Sequence, residues 1–123
     1  MPDTPALAPA PADLTAEDAK LVTLARSARA RVAALEGAAV RDQDGRTYTG
    51  VTIALPSFGL GALQLAVAAA VAAGAATLEA AALVTEASTL DSQDAAAVRD
   101  LSGSAPVYLA DATGKAFAVL SGD

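Results

Sequence analysis

The 123-residue sequence contains no cysteine, no histidine and no tryptophan, and only two phenylalanines and two tyrosines. Without cysteine the chain cannot form a disulfide bond or a thiolate nucleophile, and without both residue types it cannot form a Cys/His zinc site. Histidine is also the commonest general base, so its absence removes most hydrolase mechanisms. Because large aromatic side chains are scarce, we expect a core of small side chains with closely spaced backbones.

Basic residues are also scarce, with 8 Lys and Arg against 14 Asp and Glu and a net charge of −6. Affinity for nucleic acid comes largely from neutralising phosphates, so this balance predicts no nucleic-acid partner. The only basic cluster consists of Arg26, Arg29 and Arg31. We interpret it as the solvated face of a helix.

Charge is absent between Arg46 and Glu79, and residues 60–77 are nearly all apolar. A membrane-spanning helix needs about 20 strongly apolar residues, whereas this segment is rich in alanine and lies between Pro56 and Gly74. It therefore predicts a buried central helix and no membrane partner. The N-terminus does not show a basic region followed by an apolar one, so we predict a cytoplasmic protein.

The spacing of apolar residues and turn residues predicts one α/β domain over residues 15–123, after a disordered Pro/Ala-rich tail over residues 1–14. Four of the six prolines lie in that tail. The predicted order is α-β-β-α-β-α-β-β, with three α-β-α layers and a mixed sheet of about five strands. The segments are a helix from Thr15 through residue 35, strands 37–42 and 46–54, a central helix from Ser57 or Gly59 to Ala73, strand 78–86, helix 91–101, and strands 105–111 and 116–120.

Four strings occur in an order and at separations typical of one enzyme family. They are GAAV at 37–40, DGRTYTGV at 44–51, SFGL at 57–60, and APVYLAD with the following TGK at 105–115. Together they resemble the cytidine deaminase family over about residues 15–120. The resemblance implies the three-layer fold of that family.

The resemblance also locates the places where the family holds its zinc ion. Relatives carry Cys-Ala-Glu at the start of the central helix, and here these places fall at Leu63, Gln64 and Leu65. The paired cysteines of the second motif fall near Asp91 and Asp94. Two carboxylates without a third protein ligand make a poor zinc site, so we interpret Asp91 as a helix cap and Asp94 as a solvated acid of the first helical turn. We therefore predict no metal and no cofactor.

The substrate contacts that the resemblance implies have changed as well. The family's ribose-binding string corresponds here to residues 52–55, which read TIAL, and the aromatic residue that packs on the base corresponds to about Ala34. We expect the first helix to extend over a pocket that no longer admits a nucleoside. A remnant pocket around Thr52, Phe58 and Gln64 is the remaining candidate for binding.

These observations favour a catalytically inactive cytidine deaminase-like protein that acts as a structural or protein-interaction domain, either self-associating or regulatory. Relatives form dimers or tetramers through their central helices, so the resemblance implies a homo-oligomer, and an unidentified protein partner is also possible. One alternative is a genuine nucleoside deaminase with a relocated metal site, or an unrelated metal-free enzyme. Another is a weak, non-catalytic nucleoside-binding module. The candidate ionisable groups for catalysis are each better explained as caps, strand ends or turn residues: Glu86, Asp91, Asp94, Asp100 and Asp111.

Overall fold

The computed structural model describes residues 4–122. The chain forms three helices and eight strands within these residues. The helices are α1 (Ala16–Val32), α2 (Ala62–Ala72) and α3 (Ser92–Leu101), and the strands are β1 (Ala8–Pro9), β2 (Gly37–Asp42), β3 (Thr47–Val51), β4 (Ile53–Leu55), β5 (Phe58–Leu60), β6 (Leu78–Val84), β7 (Val107–Ala110) and β8 (Ala116–Leu120). No helix in this part of the chain is long and apolar enough to cross a membrane.

Six strands form one mixed sheet in the order β1-β8-β7-β6-β2-β3, while β4 and β5 form a separate hairpin. Only β6 and β7 run parallel; the other pairs are antiparallel. The predicted mixed α/β fold is confirmed, with one more strand in the main sheet than expected. The additional strand is β1.

The side chains of β2 and β6 alternate between the two faces of the sheet, which creates the three layers. On one face, Leu21, Val22 and Ala25 of α1 pack against strand residues that include Ala39 and Ala82. On the other face, α2 and α3 pack against a second set of strand residues. This second core consists mainly of small side chains and a few leucines, among them Ala38, Val40, Leu63, Ala66, Ala81, Leu83 and Val98.

Helix α1 begins at the predicted place but ends earlier than expected. The Thr15 hydroxyl accepts a hydrogen bond from the Asp18 amide at 3.1 Å, which caps the helix. Ala33 adopts a left-handed conformation with φ 53° and terminates the helix, so the prediction of a helix through residue 35 is wrong. The chain must reverse here because Gly37, the first residue of β2, lies directly against Ala25 and Arg29 of the same helix.

The predicted tail contains a short strand. Ala8 and Pro9 pair with Val119 and Ala118 of β8, and the Ala10 amide donates to the Phe117 carbonyl at 3.3 Å. This differs from the prediction of a disordered tail over residues 1–14, of which Met1–Asp3 lie outside the described residues. The physical reason is that Leu7 packs on the core and holds the segment against β8.

The region around Pro56 also differs from the prediction. Instead of starting α2 at Ser57 or Gly59, the chain forms the β4–β5 hairpin, with Leu55 paired to Phe58 and Ile53 to Leu60. Helix α2 begins only at Ala62, and the Gln64 side chain accepts a hydrogen bond from the Gly61 amide at 2.8 Å. The hairpin uses residues predicted as the end of strand 46–54 and the first turn of the helix.

Strand β3 lies unusually close to α2. A Cβ atom added at Gly50 would lie 2.6 Å from the Ala66 backbone nitrogen and 2.9 Å from the Leu65 Cβ atom, and closer still to the Ala62 carbonyl oxygen. Only glycine permits this approach. Gly50 therefore sets the distance between the sheet and the helix that carries the Leu63 position.

Two hairpin turns of the sheet share one design. The Asp42 carboxylate accepts from the Asp44 and Arg46 amides at 2.9 and 3.0 Å, and the Asp111 carboxylate accepts from the Thr113 and Lys115 amides at 2.9 and 3.2 Å. In each turn a glycine with positive φ lies three residues after the aspartate. Hydrogen bonds lower the pKa of both carboxyls, although burial opposes this. Asp111 thus stabilises the turn after β7, in agreement with its interpretation as a strand end or turn residue.

Candidate functional site

The N-termini of α2 and α3 meet on one side of the sheet, at the place where the resemblance locates the zinc motifs. The contact is direct, because a Cβ atom added at Gly61 would collide with the Asp94 carboxylate. Beside it lies a cavity of about 350 Å³, bounded by polar side chains and the backbone of β5. Its lining residues are Glu36, Gly59, Leu60, Gly61, Gln64, Asp91, Gln93 and Asp94.

Asp94 is buried in this arrangement, with only 5% of its surface exposed. The prediction of a solvated first-turn acid is therefore wrong; the close approach of Gly61 covers the side chain. Burial raises the pKa of Asp94 to about 6, with smaller contributions from the negative charges of Asp91 and Glu36. Among residues 4–122 no group donates a hydrogen bond to its carboxylate.

Asp91 has the predicted role of helix cap. Its Oδ1 atom accepts a hydrogen bond from the Gln93 amide at 2.7 Å, and its backbone is extended just before α3. The carboxylate satisfies an amide at the positive end of the helix dipole. Asp91 is thus explained by the start of α3, although it also faces the cavity.

Glu36 is the lining residue that the sequence did not reveal. It precedes β2, and its Oε2 atom accepts a hydrogen bond of 2.5 Å from the Thr85 hydroxyl. Its own amide donates to the Thr52 hydroxyl at 3.0 Å. No local pattern marks this glutamate, because it reaches the cavity only through the pairing of β2 beside β6.

The structure places one of the three predicted remnant-pocket residues in the cavity. Gln64 lines it and holds the Gly61 amide. Thr52 lies against the backbone of Glu36 instead, and Phe58 is 54% exposed on the β4–β5 hairpin. Thr52 and Phe58 do not line the cavity.

The residues at this site do not fit the zinc ion that the resemblance implies. Leu63, at the place of the first ligand, is fully buried in the apolar core, and Leu65 is a half-buried apolar residue. The remaining donors are carboxylates and amides, whereas zinc sites of this kind use nitrogen and sulfur ligands. Within residues 4–122 no group of three or more His, Cys, Asp or Glu side chains is arranged to hold a metal ion.

The raised pKa of Asp94 predicts a pH-dependent stability. The folded protein disfavours the ionised carboxylate, so the contribution of Asp94 to stability is fully present below the ordinary pKa of 3.8 and is lost as the pH rises through about 6. At pH 7.5 we expect Asp94→Asn to raise the free energy of unfolding by about 1–2 kcal/mol, after discounting the shift for solvent screening. Urea unfolding of both proteins between pH 4.5 and 7.5 measures this difference.

Asp100→Asn is the matched control, because Asp100 lies exposed on the same helix. We expect it to change stability by less than about 0.5 kcal/mol at every pH. A stability difference between the Asp94→Asn variant and the parent that stays constant with pH would contradict the burial argument.

Comparisons with known proteins agree with the fold. A family model described as cytidine deaminase-like matches residues 14–114. The crystal structure of cytidine deaminase from Burkholderia pseudomallei is 23% identical, with a TM-score of 0.72 over 83% of this chain and 90% of that chain. The cytidine deaminase from Mycobacterium tuberculosis is 26% identical, with a TM-score of 0.63 over 77% and 85% of the two chains. The cytidine deaminase from Mycobacterium leprae is 23% identical, with a TM-score of 0.64 over 79% of this chain and 89% of that chain. A search of curated proteins found no significant match.

The match over residues 14–114 covers most of the chain and includes α1, α2 and α3 together with the turns that carry Asp42 and Asp111. The resemblance carried by the four sequence strings is thereby confirmed. This chain belongs to the cytidine deaminase-like family.

Proposed function

We propose that this protein is a catalytically inactive member of its family that acts as a structural or protein-interaction domain and associates with itself. The observation that carries the proposal is Leu63. A leucine occupies the place of the first zinc ligand and is fully buried, and the whole sequence contains no cysteine or histidine.

The packing around Leu63 supports this proposal. Leu63 belongs to the same core as Ala66, Ala70 and Val98, so the helix is held by apolar contacts where an active relative would expose polar groups to a metal. A buried polar group without a partner costs about 1–3 kcal/mol. Replacing the ligand and the proton-shuttling carboxylate together avoids that cost and leaves α2 as a packing element.

The exposed side of α2 supports self-association. No charged residue occurs between Arg46 and Glu79, so Ala68, Val71 and Ala72 leave an uncharged helix surface facing outward, with Val71 53% exposed. Small side chains allow two helices to approach closely. The occupant that we propose for this surface is the same helix of a second copy, because an uncharged face cannot repel itself despite the net charge of −6.

A genuine deaminase is the alternative, and family membership is the observation that favours it. It would have to use the carboxylates of Glu36, Asp91 and Asp94, because these are the ionisable groups at the cavity. One of them already caps α3 and another accepts the Thr85 hydroxyl. The weak nucleoside-binding alternative depends on Gln64 and Asp94 in the same cavity.

One preparation tests the proposal. We expect the purified chain, grown and handled with added zinc, to contain far less than one zinc per chain by elemental analysis and to show no conversion of cytidine. In sedimentation velocity it should be larger than a monomer at tens of micromolar, and Val71→Glu should shift it towards the monomer. Ser27→Glu, on the exposed side of α1, is the control and should leave the sedimentation coefficient unchanged. Stoichiometric zinc with turnover would overturn the inactive assignment, and a strict monomer would overturn the self-association.

A further inference from the structure

A second cavity lies on the opposite face of the sheet, beside the C-terminal half of α1. It has a volume of about 480 Å³ and is bounded by two arginines and by small apolar residues. Its lining residues are Arg26, Arg29, Ala30, Ala33, Ala34, Val84 and Ala112. Among residues 4–122 no carboxylate lines it, in contrast to the cavity at the start of α2 and α3.

Both guanidinium groups are fixed by the backbone. The Arg26 Nε atom donates to the Ala112 carbonyl at 3.0 Å, and the Arg29 Nε atom donates to the Ala34 carbonyl at 3.2 Å. In the described part of the chain the terminal Nη atoms of both residues make no hydrogen bond, and a guanidinium presents them as a planar fork that matches two oxygens of one anion. Arg26 and Arg31 are exposed, in agreement with the predicted solvated helix face, but Arg26 and Arg29 are also tied to backbone carbonyls.

The charges of this cavity lack local neutralisation. The salt bridges in the described part of the chain all involve Arg41, so Arg26 and Arg29 have no carboxylate partner there. Both arginines lie in the second half of α1, where the helix dipole contributes about half a negative charge at the C-terminus. Two full positive charges exceed that contribution, so the cavity remains attractive to an anion.

The position in the sheet also suits a ligand. Val84 ends β6, and Ala112 follows the end of β7 by two residues. These two strands are the parallel pair of the sheet, and ligands of open α/β sheets bind outside the carboxyl ends of parallel strands. The alanines, among them the exposed Ala30 and Ala33, provide an apolar surface beside the two guanidiniums.

We propose that this cavity binds a small organic phosphate monoester, with the phosphate held between Arg26 and Arg29 and an apolar group against the exposed Ala30 and Ala33. The phosphate supplies the oxygens that two end-on guanidinium forks require. The alanine-rich surface distinguishes a monoester with an apolar group from free phosphate. This inference does not depend on whether the protein is catalytic or self-associates.

Isothermal titration calorimetry with inorganic phosphate and with phenyl phosphate tests the proposal. We expect phenyl phosphate to bind in the range of roughly 10 μM to 1 mM and more tightly than inorganic phosphate. Arg26→Gln/Arg29→Gln should weaken it by at least about tenfold, because each lost guanidinium removes charge-assisted hydrogen bonds. Arg31→Gln/Arg46→Gln removes the same charge from exposed residues that do not line the cavity and should leave the affinity nearly unchanged.

A second pair of substitutions at the same two arginines keeps the test valid if the glutamine variant unfolds. Arg26→Lys/Arg29→Lys retains both charges but loses the planar forks, so we expect weaker binding by a protein that remains folded. Absence of binding to the parent at millimolar phenyl phosphate would overturn the proposal. So would equal losses in the cavity pair and the control pair, which would show a general charge effect. Equal affinities for phosphate and phenyl phosphate would overturn the assignment of the apolar group.

Discussion

Gly50→Ala is expected to lower the free energy of unfolding by about 3 kcal/mol, near the upper end of what overpacking costs. The added methyl group would collide with the Ala62 carbonyl oxygen and lie 2.6 Å from the Ala66 nitrogen. Both atoms belong to the backbone of α2 and cannot rotate away, so the helix must shift from the sheet. Urea unfolding followed by circular dichroism measures the loss.

Gly103→Ala is the matched control for this change. A Cβ atom added at Gly103 meets nothing within 4 Å, and the backbone there does not require positive φ. Alanine also restricts the unfolded chain, so we expect a change within about 0.5 kcal/mol or a slight stabilisation. If both substitutions cost the same, the close contact between β3 and α2 would not be the cause.

Arg41→Ala is expected to cost about 3 kcal/mol, at the lower end of the range for breaking a buried ion pair. The Arg41 guanidinium donates to Asp18 at 3.0 Å and to Glu79 at 2.8 Å, and it ties α1 to β2 and β6. Without it, the buried Asp18 carboxylate retains only the Tyr108 hydroxyl at 2.8 Å and the start of the α1 dipole. These two remaining contacts are the reason for choosing the lower end.

A double-mutant cycle separates this interaction from the loss of packing. Asp18→Ala/Arg41→Ala also removes the Asp18 carboxylate that Arg41→Ala leaves unpaired. Its loss of unfolding free energy should therefore be clearly less than the sum of the two single losses. Arg31→Ala, at an exposed arginine of α1, should change stability by less than about 0.5 kcal/mol. Additive costs in the cycle would show that Arg41 and Asp18 contribute independently.

The elements that the sequence predicted well are those with local signals. Strands β2 and β8 have the predicted bounds, and α1 and α3 begin one residue after Thr15 and Asp91 because these side chains cap the first turns. The β4–β5 hairpin was not predicted because Phe58–Leu60 is a short apolar run, and the spacing of apolar residues in so short a run cannot distinguish a strand from a helix. Strand β1 was missed because its proline content resembles that of an unstructured tail.

At the cavity beside α2 and α3, the sequence could predict only those features that depend on the type of a single residue. The absence of zinc ligands and the capping role of Asp91 follow from residue types alone. The burial of Asp94 depends on Gly61, 33 positions earlier in the chain. The position of Glu36 beside the cavity depends on the strand order. The sequence does not reveal how Arg26 is fixed, since its acceptor, the Ala112 carbonyl, lies 86 positions later in the chain. Contacts of this kind have no signature in a local pattern.

Strand β1 covers the outer side of β8 with only two paired residues, and one of them is Pro9. Proline has no amide hydrogen to offer, so the sheet presents a poor template for a further strand on that side. We therefore expect the short segment to protect the domain from edge-to-edge aggregation. Affinity tags and truncations designed for this chain should therefore leave residues 7–10 intact.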